Sequence, residues 1–147
     1  MCRVAILLAT YNGSSFLYEQ LSSISSLESI NYKLYLSDHN SIDNTKSLFI
    51  QFCNESNVEY KIIDTPIPYR GAGQNFFHLI REVDLEDYDY FAFADQDDLW
   101  MPKKLIHAIK NIEKHQSSGY SSSVKSFKSK DSYKYINKYP KQKKYDY

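Results

Sequence analysis

The amino-acid sequence predicts an α/β fold in which a parallel sheet lies between two helical layers. Three observations carry that prediction. Short apolar runs alternate four times with stretches of helical period between Arg3 and His115, the pattern of repeated strand–helix units. The first run is apolar almost without interruption, as a strand covered on both faces must be. Three of the four runs end in polar clusters, and open parallel sheets bind ligands outside the carboxyl ends of their strands.

Residues 3–9 (Arg-Val-Ala-Ile-Leu-Leu-Ala) form the first strand, which Thr10-Tyr11-Asn12-Gly13 ends with turn chemistry. A helix fits residues 15–27, with Leu17, Leu21, Ile24 and Leu27 on one face and Ser14 or Ser15 as its cap. Residues 32–37 alternate as a second strand and lead into Asp38-His39-Asn40-Ser41. A second helix, from Asn44 or Thr45 to about Asn54, would bury Leu48, Phe49 and Phe52, with Asp43 or Asn44 as N-cap. Residues 59–63 make a third strand. Pro66 and Pro68 exclude helix from residues 65–71. A third helix fits residues 74–83, and residues 90–94 read as a buried fourth strand. The last helix runs from Pro102, which suits a first helical position, to His115. Leu105, Ile109 and Ile112 share one of its faces.

The chain of 147 residues is one domain's worth. Its net charge of zero hides an asymmetry. Residues 1–116 carry 10 Lys+Arg against 16 Asp+Glu, a net of −6, and residues 117–147 carry 8 Lys against 2 Asp, a net of +6. Composition therefore sets residues 1–116, a globular domain, apart from a Ser/Lys/Tyr-rich, low-complexity tail. In that tail Val124, Phe127 and Ile136 are the only aliphatic or Phe residues, so a disordered basic arm is expected. Eight lysines among tyrosines could also meet an anionic membrane or an acidic partner. Nothing indicates a nucleic-acid partner. Cys2 and Cys53 have no metal spacing and are too few for a disulfide framework, and the run Val4 to Ala9 is too short for a signal peptide or a membrane span. A cytoplasmic location is expected, with contact at the inner face of the membrane as an option.

The candidate site follows from the polar clusters. Asp95-Gln96-Asp97-Asp98 stands at the end of the fourth strand. Three carboxylates there repel one another unless a cation or a positive substrate group compensates. Asp95 and Asp97 are oxygen ligands spaced for one hard divalent ion, Mg²⁺ or Mn²⁺, which would also hold a diphosphate. A solvated acidic turn capping the helix at Pro102 would look the same. His78, His107 and His115 fall on helices away from metal spacing and read as surface residues, and Trp100 as packing.

Ala9-Thr10-Tyr11-Asn12-Gly13, the stretch from Ser37 to Thr45, Gly71 through Asn75-Phe76, and Phe93-Ala94-Asp95-Gln96-Asp97-Asp98-Leu99-Trp100 together resemble the family 2 glycosyltransferases, in particular rhamnosyltransferase-like bacterial enzymes. The resemblance covers residues 3–113. It implies the nucleotide-diphospho-sugar-binding half of a GT-A fold, a UDP- or dTDP-linked sugar as donor, a divalent metal, and transfer to a surface glycan or a lipid-linked acceptor. Carried over by position, Thr10 and Tyr11 would border the base and ribose, with Asn12 beside them among the donor-binding residues, and Asp38 would sit at the base pocket. Asn75 would lie beneath the sugar, Asp95 would approach the ribose or the metal, and Asp97 would ligate the metal. His39 stands where the family usually has a second acidic residue; a neutral imidazole can still accept through one nitrogen.

The resemblance implies a longer chain than this one, with an acceptor half and a catalytic carboxylate. In the tail only Asp131 and Asp146 are candidates for that carboxylate. A donor-binding half without its base is therefore expected, and the alternative is a non-catalytic nucleotide-binding remnant or one half of a split enzyme. A Mg²⁺-dependent phosphoryl-transfer domain would need an aspartate after the first strand, where Ala9-Thr10 stands.

Overall fold

The computed structural model describes residues 2–65, 71–129 and 132–137. Most of the extended loop expected over residues 65–71 lies outside them, as do Asp131 and Asp146. Contacts divide the chain into two compact units, Met1–Ile106 and His107–Tyr147.

In the first unit strands and helices alternate: β1 (Arg3–Thr10), α1 (Ser14–Ser25), β2 (Asn31–Asp38), α2 (Thr45–Glu55), β3 (Tyr60–Ile63), α3 (Ala72–Glu82) and β4 (Tyr90–Asp95). The strands form one parallel sheet in the order β3-β2-β1-β4. The strand read as doubly covered, β1, is central, and it is buried from Val4 to Thr10. Alternation sends Ala5, Leu7 and Ala9 to one face, where Leu79 of α3 and Val83 just after it meet them with Tyr35 and Ile63. Leu17, Leu21 and Ile24 of α1 and Phe49 of α2 are also buried, and α1 packs on α2. At ~1.5–3 kcal/mol for each large apolar side chain fully buried, these two layers supply most of the driving force for folding.

Three local expectations are corrected. Strand β4 was read as buried, yet it is an edge strand with Phe91 48% and Phe93 46% exposed; an apolar run does not distinguish a central strand from an edge one. On α2, Leu48 is only half-buried, and Cys53 takes its place in the buried set with Thr45, Phe49 and Phe52. His78 is buried rather than superficial: its Nε2–H donates to the Asp64 carbonyl at 2.8 Å from the inward face of α3. Trp100 is buried, its backbone N–H donating to Ser23 Oγ and Lys104 lying 4.0 Å over its ring.

Helix α4 (Lys104–His115) carries buried Leu105 and Ile109, and Ile112 is half-buried. In the second unit, β5 (Val124–Ser129) pairs antiparallel with β6 (Ser132–Ile136). Composition gave these residues no strand period, yet they form a hairpin held by its backbone ladder and by Lys125 set 3.8 Å over the Tyr133 ring. Val124, Phe127, Tyr133, Tyr135 and Ile136 are all exposed, between 42% and 61%, so apolar burial contributes little to the ribbon, in keeping with its composition.

Candidate functional site

The register fixes the rim of the sheet. Thr10 pairs with Asp38, and Ala9 pairs with Asp95, so the carboxyl ends of β2, β1 and β4 finish level. The three polar clusters expected to converge therefore stand side by side on one edge.

At the β1–β2 end the polar groups satisfy one another. The carboxylate of Asp38 accepts from Thr10 Oγ1–H at 2.7 Å, from Ser41 Oγ–H at 2.6 Å and from the Ser41 N–H at 3.0 Å. Thr10 is itself buried. Asn12 and Asn40 both adopt left-handed backbone, with φ of 46° and 52°, which asparagine tolerates better than most residues. Asn12 is tied to the neighbouring loop at both ends: its N–H donates to Ser41 Oγ and its Oδ1 accepts from the Ile42 N–H.

The first N–H groups of α1 are satisfied across the fold rather than by Ser14 or Ser15. The N-cap position is Gly13, whose N–H donates to Thr45 Oγ1, and the Ser14 N–H donates to Asp43. Asp43 also accepts from the Thr45 N–H and hydroxyl. The expected Asp43-Asn44-Thr45 cap is therefore shared by two helices, with Asn44 at the N-cap position of α2 but making no side-chain cap bond. The Thr45 hydroxyl and the other donors hold the Asp43 carboxyl well down, at about 2.

Tyr11 is exposed, and its ring meets the His39 ring edge-on with centroids 5.4 Å apart. Beside Asp38 a cavity of about 400 Å³ opens between the ends of β2 and β3, with Ser41, Lys46, Asp64 and Thr65 in its wall. Asn75 lies beneath this rim, buried, with Nδ2 donating to the Ser37 carbonyl at 2.9 Å. Its Oδ1 is buried with no partner among the described residues.

The β4 end is the opposite case. Among the described residues no hydrogen bond or ion pair reaches the carboxylates of Asp97 or Asp98, and Asp95 accepts only the Gln96 N–H, at 3.1 Å. Partial burial of the Asp95 carboxyl, then the like charges of Asp97 and Asp98, push its pKa above the usual carboxylate range, against that one hydrogen bond. Lys104 is close enough to feel Asp98. No group of three or more His, Cys, Asp or Glu placed to hold a metal ion occurs among the described residues. Two hard oxygen donors with unmet charge suit a divalent cation whose remaining ligands are phosphate oxygens and water.

One residue joins the two ends and was missed by sequence reasoning. Gln96 accepts the Tyr11 N–H on Oε1 at 2.8 Å and returns Nε2–H to the Tyr11 carbonyl at 3.1 Å. The pairing of β1 with β4 makes this possible, and that pairing is not visible in the sequence.

With this geometry in view, comparison with known proteins is decisive for the family. The model of one family, Glycosyl transferase family 2, matches residues 5–146. The chain belongs to glycosyl transferase family 2. The match runs on through the Ser/Lys/Tyr-rich stretch, further than the resemblance over residues 3–113. The dTDP-rhamnosyl transferase RfbG of Shigella flexneri is 36% identical over 144 residues, which is 95% of this chain and 48% of that protein. The chain thus spans about half the length of this curated relative. Among solved structures, S. aureus TarS 1-349 in complex with UDP-GlcNAc superposes with a TM-score of 0.66 at 19% identity, covering 78% of this chain and 32% of that one. The mannosyltransferase PcManGT from Pyrobaculum calidifontis, in complex with GDP-Man and Mn²⁺, superposes at 0.65 and 19% identity, covering 74% of this chain and 32% of that one. These likenesses establish the GT-A type of fold. Among the described residues no helix is long and apolar enough to cross a membrane.

Proposed function

We propose that the rim binds a nucleotide-diphosphate sugar, UDP- or dTDP-linked, and that the protein to which this domain belongs transfers the sugar to a surface glycan or a lipid-linked acceptor. The base would lie toward Tyr11, Asp38 and His39, and the diphosphate toward Asp95 and Asp97. Thr10, Asn12 and Asn75 would support that surface from beneath and beside it. The observation that carries this reading is the charge of Asp95 and Asp97, unmet among the described residues, next to an aromatic-edged rim whose own carboxylate, Asp38, is satisfied by hydrogen bonds, with a cavity beside it. It suits a ligand with a flat heterocycle at one end and an anion–cation pair at the other. The names of the relatives support the same chemistry: a dTDP-rhamnosyl transferase, a UDP-GlcNAc complex and a GDP-Man complex with Mn²⁺.

Asp95 and Asp97 would hold the cation, Mg²⁺ or Mn²⁺. Bound there, it would offset negative charge developing on the departing diphosphate. The protein's own groups orient the donor: Asp38 and Ser41 keep the turn after β2 in place, and Tyr11 and His39 present their rings to the base. Cytoplasmic work at the inner face of the membrane is part of the proposal, supported by the lysines of residues 117–147, each worth ~1 kcal/mol near an anionic surface.

Calorimetric titration with UDP, dTDP and GDP in Mn²⁺ tests the binding claim; failure of all three to bind would overturn it. A radiolabelled donor with lipid-linked or glycan acceptors then separates the enzyme from the non-catalytic nucleotide-binding alternative. Labelled product supports the first, and binding without product supports the second.

A further inference from the structure

We propose that Gln96 is a positioning residue that locks the aromatic end of the donor site to its acidic end, and that Gly13 is glycine to leave room for the Gln96 amide. The proposal rests on the donor-binding reading above. Gln96 sits between Asp95 and Asp97, yet its side chain turns away from their charge and pairs with both main-chain polar groups of Tyr11. Two antiparallel bonds to one peptide segment fix its distance and its orientation, which a single bond would not. The Tyr11 ring, and the His39 ring against it, thereby take their position from the same loop that carries the acidic pair.

Gly13 supplies independent evidence. Its backbone, at φ −101° and ψ 9°, lies in the bridge region, which residues with a Cβ also adopt and which needs no positive φ. A Cβ added there would fall 2.3 Å from Gln96 Oε1, 2.6 Å from its Cδ and 3.3 Å from its Cβ, so the amide meets by far the harder clash. The conformation therefore does not call for glycine, whereas the space occupied by the Gln96 amide does. Alanine at 13 would displace that amide from Tyr11 and leave the carboxylates of Asp95 and Asp97 where they are. The clamp can thus be opened from either side, by removing the amide or by crowding it.

The test is a cycle of Gly13→Ala, Gln96→Ala and the double variant, with dTDP and inorganic pyrophosphate as probes in Mn²⁺. Each single variant should weaken dTDP binding about five- to tenfold, because a Tyr11 segment without its two bonds to Gln96 must be ordered when the ligand binds, at ~1–1.5 kcal/mol. Pyrophosphate, which needs only the acidic end, should bind within about twofold of the unaltered chain. The double variant should bind dTDP about as well as Gln96→Ala alone, since with the amide gone the methyl of alanine at 13 meets only the Cβ of residue 96, at 3.3 Å, which a shift of a few tenths of an ångström relieves. Penalties that add, or dTDP and pyrophosphate affinities that fall together, would overturn the clamp. Thermal midpoints provide the same cycle without ligand: the loss caused by Gly13→Ala should fall by more than half in the Gln96→Ala background, where only the 3.3 Å contact with Cβ of residue 96 remains, and an undiminished loss would overturn the clamp too. Absence of dTDP binding by the unaltered chain would instead count against the donor reading, leaving the thermal cycle to judge the clamp.

Discussion

Asp38 and Asp97 are both carboxylates at the carboxyl end of a strand, on the same rim, and they do opposite things. Asp38 accepts three hydrogen bonds from Thr10 and Ser41, whereas no hydrogen bond or ion pair among the described residues reaches Asp97. A carboxylate whose lone pairs are already met is a strut: removing it leaves donors without an acceptor. A carboxylate that no described residue meets, with Asp95 and Asp98 beside it, carries repulsion that a bound cation or a proton would relieve. Residue type alone does not tell these apart. Their neighbours do.

The largest effect on stability should therefore come from the satisfied end. Asp38→Ala strands the Thr10 and Ser41 donors in part-buried surroundings and should cost ~1–3 kcal/mol in urea unfolding. A loss under about 0.5 kcal/mol would mean the three bonds contribute as little as an ordinary surface position.

A second difference separates Asp43 from the acidic rim. Its carboxyl lies at about 2, below the ordinary 3.8, because the Thr45 hydroxyl and the backbone of Ser14 and Thr45 favour the ionised form. A depressed carboxyl contributes stability that is full above about pH 4 and is lost as pH falls toward 2. The advantage of the unaltered chain over Asp43→Ala should accordingly be constant near neutrality and shrink between about pH 4 and pH 2. Urea midpoints of the pair across that window check it, and a gap that stays constant down to pH 2 would contradict the shared cap.

The smallest stability effect belongs to the β4 end. Asp95→Asn and Asp97→Asn should leave the thermal midpoint of the metal-free protein unchanged or slightly raised, within ~0.5 kcal/mol, because each removes a repelling charge and the amide oxygen at 95 can still accept the Gln96 N–H. A clear loss in either would mean that the carboxylate is structural after all.

Much of this was legible in the sequence because it depends on local pattern. All four strands lie within two residues of their expected ends, since turn residues such as Asn12-Gly13 and Asn40-Ser41 punctuate apolar runs sharply. The sharing of one rim by Thr10, Asp38 and Asp95 followed from the parallel-sheet rule. What the sequence hid depends on pairing across long separations. The α1 cap comes from Asp43 rather than Ser14, the Tyr11 clamp from Gln96, and the exposure of Phe91 and Phe93 from the edge position of β4. Buried His78 escaped notice because its partner is a backbone carbonyl, which no residue type announces. The β5–β6 ribbon was hidden for another reason: its ladder is backbone, and composition reports only side chains.

The most direct measurement is dTDP affinity with and without Mn²⁺, by calorimetry, for the unaltered chain and for Asp97→Ala. If the unmet charge at the β4 end is where the cation and diphosphate meet, Mn²⁺ should strengthen dTDP binding at least about tenfold in the unaltered chain, and Asp97→Ala should abolish that gain while leaving metal-free affinity nearly unchanged. Binding that is indifferent to Mn²⁺, or a metal dependence that survives Asp97→Ala, would contradict it.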